Sequence, residues 1–416
     1  MSPWFDYPQP QWREKHAVVI GAGIAGCQIS WHLSQLGWRI TLLEREERIS
    51  SQASGNLAGI ISPLMSAKPS QTEQFFLQAF EYTIQHLQEL MAAGAEVDWF
   101  DCGVLQLAHS ERELQRWQAL KDRQLSPQLI ELLDQQQASE KAGIPCRYPA
   151  SYFPQAGYIN PASWCQALIT ASQCELVTST DVASLVLGED KQWSVQDSSG
   201  ISLAEAEVVV LSNGRDINLF SQSDSLPLAH VLGQTTLAKS DGRTGELKCA
   251  INHEGYVTPA YNNTHVFGAT FDRVFEKIAV DEQADRRNLE QLSAHLPELA
   301  MGLEGVDTGH ASVRSATPDR LPYVGGVYDR EYYIEEYAFL KQGNRSRKYS
   351  AAKYLNGLYV LGGLGSRGLT SSGLSAQILS ELIEGNLSVD ASNLLEIMHP
   401  ARFLILQLKR GRSVST

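Results

Sequence analysis

The chain has 416 residues, 43% of them apolar and 19% charged, with a formal net charge of −13. That length exceeds the size at which a single hydrophobic core stops growing, so two domains are expected. The acidic balance excludes a protein whose whole surface binds nucleic acid, although a local basic face stays possible. Six cysteines with no CxxC pair suggest reduced thiols, with neither a disulfide framework nor a zinc site. The N-terminus lacks the basic and apolar regions of a signal peptide. No apolar run approaches the roughly 20 residues of a membrane span. A soluble, cytoplasmic protein is expected, with no metal and no membrane partner; nothing in the sequence sets its oligomeric state.

Residues 1–15 are rich in proline and aromatics without periodicity, which predicts a linker or arm that docks on a neighbouring surface. The stretch from His16 to Glu44 is the most informative in the chain. An apolar β-branched run, Ala17 to Ile20, breaks at Gly21 and resumes with helical spacing through Ile24, Ile29, Leu33 and Leu36. It ends at Gly37 before a second apolar strand. In such a βαβ unit Gly21 permits the tight turn, Gly23 lets backbone N–H groups approach a pyrophosphate, and Gly26 lets helix pack closely on strand. The phosphates sit at the positive end of the helix dipole, beside Ile24 and Ala25. Glu44 falls 23 residues after Gly21, where a carboxylate accepts hydrogen bonds from the ribose of an adenosine, with Arg45 next to it. These residues point to a dinucleotide and leave FAD, NAD and NADP open, although the acidic strand end disfavours the 2′-phosphate of NADP.

The small-residue run Ser50 to Gly59 follows, and Ser54, Gly55, Asn56, Leu57 and Ala58 in it are candidates for a second backbone cradle of the same cofactor. Gln71 to Met91 predicts a long amphipathic helix with Phe75, Phe76, Ala79, Phe80, Ile84, Leu87 and Leu90 on its core face. Val97 to Ala108 alternates as a strand, and Glu111 to Leu133 predicts a helix charged on one side. A helix is expected from near Pro161, then short strands at 175–178, 182–187 and 193–196, with Val182 a candidate cofactor contact. The apolar strand Glu207 to Leu211 halts at Asn213-Gly214, as a strand does at the ligand-binding carboxyl edge of a parallel sheet. Leu228 to Phe271 is strand-rich, and Asp281 to Leu296 predicts a helix with Ala284 and Leu289 inward. Finally, Gly357 to Leu369 repeats the opening logic of strand, glycine loop and helix. Its candidates are Gly363, Leu364, Gly365, Ser366, Arg367, Gly368 and Leu369. A strand-glycine-helix unit at each end suggests a nucleotide domain assembled from distant segments around an inserted one.

These motifs, together with Gly255-Tyr-Val-Thr-Pro259, Gly268-Ala-Thr-Phe-Asp-Arg273 and Val313-Arg-Ser-Ala-Thr-Pro-Asp319, resemble the D-amino-acid oxidase superfamily of FAD enzymes. Within it, the order and spacing from about Pro3 to the end are most similar to the FAD-dependent oxidoreductase half of MnmC, a family that matures 5-carboxymethylaminomethyl-2-thiouridine at the tRNA wobble position. The resemblance implies an α/β (α+β overall) fold. Its Rossmann-like FAD-binding domain would use residues 16–96, 156–220 and 318–400. An inserted substrate domain with a mixed or antiparallel sheet and helices would use 97–155 and 221–317, and 401–416 would form a basic tail. It implies FAD as cofactor, modified tRNA as substrate, and oxidative removal of a carboxymethyl group as glyoxylate, with oxidation of free glycine or sarcosine, or a flavin scaffold without turnover, as rival readings. The family's well-known members are fused to an N-terminal methyltransferase, so the methyl-transfer half of the activity is expected outside this sequence, either on a separate polypeptide or on a longer form of this chain.

The same resemblance nominates three catalytic side chains. Arg314 would grip the substrate carboxylate through two hydrogen bonds, and Tyr256 would add a hydroxyl donor. Arg367 would stabilise negative charge on the flavin or touch substrate, beside a helix N-terminus aimed at the flavin. The bland alternative for Arg314 is an ion pair with Asp319, and for Arg367 it is a solvated surface. Arg345 to Lys348 with Tyr349, and Lys409 to Arg412, are the candidate tRNA-facing clusters.

Overall fold

A computed structural model describes residues 2–240, 244–343 and 347–412. Its central sheet has six strands in the spatial order Tyr323–Tyr328, Tyr354–Gly362, Val208–Leu211, His16–Ile20, Arg39–Leu43 and Glu175–Val177. Neighbours run parallel except at the antiparallel edge strand Tyr323–Tyr328. Parallel strands covered on both faces need apolar residues at every position, and the two sets of side chains separate with period two. Ala17, Val19, Ile40, Leu42, Val208 and Val210 enter one core. Val18, Ile20, Leu43, Val209 and Leu211 enter the other. The first core is roofed by helices Ile24–Gln35, Gln71–Ala92, Pro161–Ser172 and Gly368–Glu384. The second is closed by the antiparallel meander 184–206 and by helix Arg402–Lys409.

A second sheet of eight strands draws on 104–107, 131–133, 150–153 and five strands between 229 and 316. It is antiparallel apart from one parallel pair, Ala250–Asn252 with Val104–Leu107. Its strands lie within residues 97–155 and 221–317. A small sheet crosses the expected boundary at 96/97, because Trp99–Phe100 pairs with Gly157–Ile159, which also pairs with Gly59–Ile61.

Several local expectations change. The strand over 97–108 splits into Trp99–Phe100 and Val104–Leu107, with Gly103 between them at φ 76°. The helix expected over 111–133 ends at Lys121, and Glu131–Leu133 is a strand. Pro127 keeps the helix from resuming through this segment, since proline disfavours helical conformation at the residue before it and removes a backbone donor. The C-terminal segment is not a tail through 401–409: Leu404, Ile405 and Leu408 are buried as one helix face. The N-terminal arm is docked, with Trp12 Nε1 donating to the Ile383 carbonyl at 2.7 Å and Tyr7 stacked on Tyr354 at 4.3 Å. Arg345 and Ser346 lie outside the described residues. Arg347 packs on the Phe339 ring and Lys409 on the Trp4 ring.

Candidate functional site

Along the carboxyl ends of the central strands, and on to the eight-stranded sheet, runs a cavity of about 800 Å³. Its first end is built by the opening motif. Gly21 has φ +96°, and a Cβ there would lie 2.7 Å from Asn213 Cα, so only glycine allows the turn beside the next strand. A Cβ on Gly26 would lie 1.8 Å from the Gly21 carbonyl oxygen, so its absence sets how closely helix meets strand. The Glu44 carboxylate accepts from Ala22 N at 2.7 Å and Glu46 N at 2.9 Å, which fixes it on the cavity wall. Arg45 pairs with Asp216 at 3.0 Å beside it.

The small-residue loop is tied down rather than open. Ser54 Oγ accepts from Ile24 N at 2.9 Å, so that helix N–H is taken by the protein. Asn56 donates to Ala58 O and to Tyr256 Oη, at 2.7 and 2.8 Å, and accepts from Thr235 Oγ1 at 3.1 Å. Its side chain is a hub joining the loop to the second sheet. Gly21, Gly23, Ile24, Ala25, Glu44, Arg45, Ser54, Asn56, Val182, Asn213 and Gly214 all line the cavity, as does the whole Gly363–Leu369 loop. Gly26, Gly55, Leu57 and Ala58 do not: Gly26 faces the first strand, Gly55 packs on Ser50 and His310, Leu57 points to solvent, and Ala58 is buried.

Whether this wall suits a polar dinucleotide is tested by its orphaned atoms. Ser50 Oγ, Ser212 Oγ and Asn213 Oδ1 line the cavity, are buried, and have no hydrogen-bond partner among the described residues. Buried polar atoms left so are costly unless a ligand or water satisfies them. Together with the glycine turn, the fixed Glu44 carboxylate and the N-termini of two helices, they suit a ribose and a pyrophosphate. Sequence reasoning missed Ser50 and Ser212, as well as His310, whose Nε2 lies 2.7 Å from the Gln52 carbonyl. Ser50 opens the small-residue run but is not distinguished there from its neighbours, and its φ of +58° is visible only in the structure; a lone serine or histidine such as Ser212 or His310 carries no signal by itself.

The other end of the cavity is formed by strands of the eight-stranded sheet. Arg314 stands on Leu303–Ala316, opposite Val231. Its guanidinium crosses Gly233, where a Cβ would fall 1.9 Å from Nη2. Arg314 reaches only Ser366 Oγ and Thr270 O, each at 3.5 Å, and among the described residues it forms no ion pair. Burial lowers its pKa, partly offset by Tyr256, but a guanidinium stays charged at neutral pH. The alternative partner, Asp319, is instead gripped by Arg402 at 2.8 and 2.9 Å. Tyr256 lies near, and its hydroxyl donates to Ala58 O at 2.6 Å, so the donor expected for substrate is engaged by the loop. Arg367 is not on a solvated surface. It lies 5.8 Å over Phe76 and donates to Ser62 O at 3.4 Å, and burial, then the like charges of Arg116 and Arg320, lower its pKa to about 10.

The geometry thus presents a polar, glycine-walled half and a half holding two arginines, Arg314 and Arg367, without acidic partners among the described residues, joined by the Gly363–Leu369 loop at a helix N-terminus. Comparison with known proteins gives the family. Residues 16–382 match the FAD dependent oxidoreductase family. A tRNA 5-methylaminomethyl-2-thiouridine biosynthesis bifunctional protein MnmC from Chromobacterium violaceum is 33% identical over 99% of this chain and 63% of its own length. The protein of the same name from Pseudomonas syringae is 34% identical over 99% of this chain and 62% of its own. The chain therefore spans somewhat under two thirds of these curated relatives. Among solved structures, glycine oxidase from Bacillus cereus superposes with a TM-score of 0.72 at 20% identity, covering 93% of this chain and 98% of that one. Iminodiacetate oxidase from Chelativorans gives 0.68 at 18% identity, covering 90% and 96%. At such identities the likeness is one of fold. Among the described residues no helix is long and apolar enough to cross a membrane, and no cluster of side chains suits a metal.

Proposed function

Because this chain belongs to the FAD dependent oxidoreductase family, with FAD as its cofactor, we propose that it oxidises the glycine-like secondary amine of 5-carboxymethylaminomethyl-(2-thio)uridine at the tRNA wobble position. The N–CH2–COO⁻ methylene loses a hydride and the nitrogen a proton, and water then splits the resulting imine into the 5-aminomethyl nucleoside and glyoxylate. FAD, when bound, supplies the hydride acceptor. Gly21, Gly23, Glu44 and Asn213 would hold its adenosine and pyrophosphate half, and the Gly363–Leu369 loop its flavin half.

The single observation that carries the reading is Arg314, a recessed cation with no acidic partner among the described residues, next to the loop assigned to the flavin. A guanidinium left unpaired in a ligand cavity calls for an anion. Two charge-assisted hydrogen bonds from it would fix the substrate carboxylate and so the position of the reacting methylene. Arg367 adds positive charge on the Ser62 side of the same cavity. Tyr256 would position Asn56 and border the carboxylate. The amine must be neutral before its neighbouring C–H bond breaks, so turnover falls at acid pH. The names of the relatives favour tRNA as the substrate over a free amino acid.

The test is anaerobic mixing of the FAD-loaded protein with tRNA that retains the carboxymethylaminomethyl group, followed by flavin absorbance. Bleaching by this tRNA is expected. Bleaching by free glycine or sarcosine alone would replace the reading with that of a small-amine oxidase.

A further inference from the structure

We infer that Phe271 is a stacking platform for a base of the substrate at the cavity mouth; the inference rests on the tRNA reading above and names how that substrate is held. Phe271 lines the cavity yet is 56% exposed, and Val274, three residues on, is 92% exposed. A lone exposed apolar side chain needs no explanation, but this one is held in place on both sides. Thr270 N donates to Gln234 O at 3.1 Å, and Gln234 N donates back to Thr270 Oγ1 at 2.9 Å. Asp272 and Leu232 exchange both backbone hydrogen bonds at 2.9 Å. The Asp272 carboxylate is gripped by Arg287 through two bonds of 2.8 Å each. The backbone is thus fixed while the ring between these anchors stays open to solvent.

Its position relates to the carboxylate anchor. The carbonyl of Thr270, one residue before Phe271, is the acceptor facing Arg314 Nη2. In the proposed substrate only four bonds separate the carboxylate carbon from C5 of the uracil ring. With the carboxylate at Arg314, the pyrimidine is confined to the neighbourhood of the anchor, which the segment carrying Phe271 borders through the Thr270 carbonyl. Free glycine or sarcosine is too short to reach beyond the anchor. An aromatic ring accepts any base by its π-face, and Arg273, whose guanidinium carbon lies 5.8 Å from the Phe271 ring centre, adds a cation beside it. An open aromatic on an anchored backbone, between a carboxylate anchor and solvent, is what a base attached to a macromolecule requires.

Equilibrium binding tests this without turnover. A fluorescently labelled anticodon stem-loop carrying the carboxymethylaminomethyl uridine is titrated with FAD-loaded wild type, Phe271→Ala, Phe271→Leu and Phe271→Tyr, and anisotropy is recorded. Stacking predicts binding weakened about tenfold or more in Phe271→Ala, comparably in Phe271→Leu, and restored in Phe271→Tyr. Equal affinity for wild type and Phe271→Ala, or full rescue by leucine, overturns the platform and leaves the tRNA reading in place. No binding of the stem-loop to wild type overturns both.

Discussion

The two ends of the cavity solve different problems. The end built around His16 to Glu44 is organised by one local motif, and the polar groups there mostly pair within the protein: Glu44 holds Ala22 and Glu46, Ser54 holds Ile24, and Arg45 holds Asp216. The end around Arg314 is assembled from segments far apart in sequence, and among the described residues its principal charge has no acidic partner. A cofactor that stays bound suits walls finished in advance, with a few orphaned atoms such as Asn213 Oδ1 left for the ligand. A substrate that turns over suits a charge left for each new anion to complete.

If that contrast holds, substitutions at the two ends separate activity from cofactor content. The largest effect belongs to Arg314→Ala. Loss of two charge-assisted hydrogen bonds at about 1.5 to 3 kcal/mol each lowers kcat/KM by about 10² to 10⁴, while the flavin spectrum and FAD stoichiometry stay those of wild type. At the other end, Gly26→Ala places a methyl 1.8 Å from a backbone oxygen. It costs about 3 kcal/mol or more and yields protein poor in FAD, read by the 450 nm to 280 nm absorbance ratio and by Tm.

Acid distinguishes stability from chemistry. Burial, together with the neighbouring His295 and His109, lowers the His253 pKa to about 3, and burial lowers that of His86 to about 4. Burial likewise depresses His32 and His399. These residues stay neutral in the folded chain while the unfolded chain takes up protons below its ordinary value near 6.5. The unfolded state then binds more protons, so their contribution is intact above about pH 6.5 and is lost as pH falls from there toward the folded values. Between pH 7 and 5 the loss reaches about 2 kcal/mol per histidine, measured by denaturant melts across that range. Replacing His86 by an apolar residue of similar volume should flatten the slope.

Smaller effects refine the Arg314 end. Gly233→Ala leaves FAD in place but pushes the guanidinium aside, for an expected tenfold or so loss in kcat/KM, with the KM rather than the flavin spectrum moving. Tyr256→Phe removes a hydroxyl that donates to Ala58 O and accepts from Asn56, so it costs about 1 to 2 kcal/mol of stability and less than tenfold in activity. A loss as large as that of Arg314→Ala would mean that the hydroxyl holds substrate directly.

How much of this was legible in the sequence follows the same division. The opening βαβ unit, the strand ending at Asn213-Gly214 and the Gly363–Leu369 loop were all readable, because glycines at set spacing and apolar periodicity are local signals. Local signals also misled: the charged run 111–133 has helical periodicity, and only Pro127 hinted that it stops at Lys121. The basic cluster Lys409 to Arg412 looked like a tail because net charge hid the apolar face of Leu404, Ile405 and Leu408. The partners of Arg314 and Asp319 could not be read from their spacing. Five residues apart, they lie at the end of a strand and in the following loop, and Arg402 takes the carboxylate. Phe271 was just one aromatic within a strand-rich stretch, since nothing in sequence tells an exposed ring from a buried one.

The central claim concerns what reacts at the Arg314 end, and the mass of the product nucleoside tests it most directly. FAD-loaded protein is incubated with tRNA bearing the carboxymethylaminomethyl group, the tRNA is digested, and the wobble nucleoside is weighed by mass spectrometry alongside an assay for glyoxylate. The account predicts conversion to the aminomethyl nucleoside with one glyoxylate released per nucleoside, abolished in Arg314→Ala protein that retains its FAD. An unchanged nucleoside, from protein that still oxidises glycine or sarcosine, would contradict it.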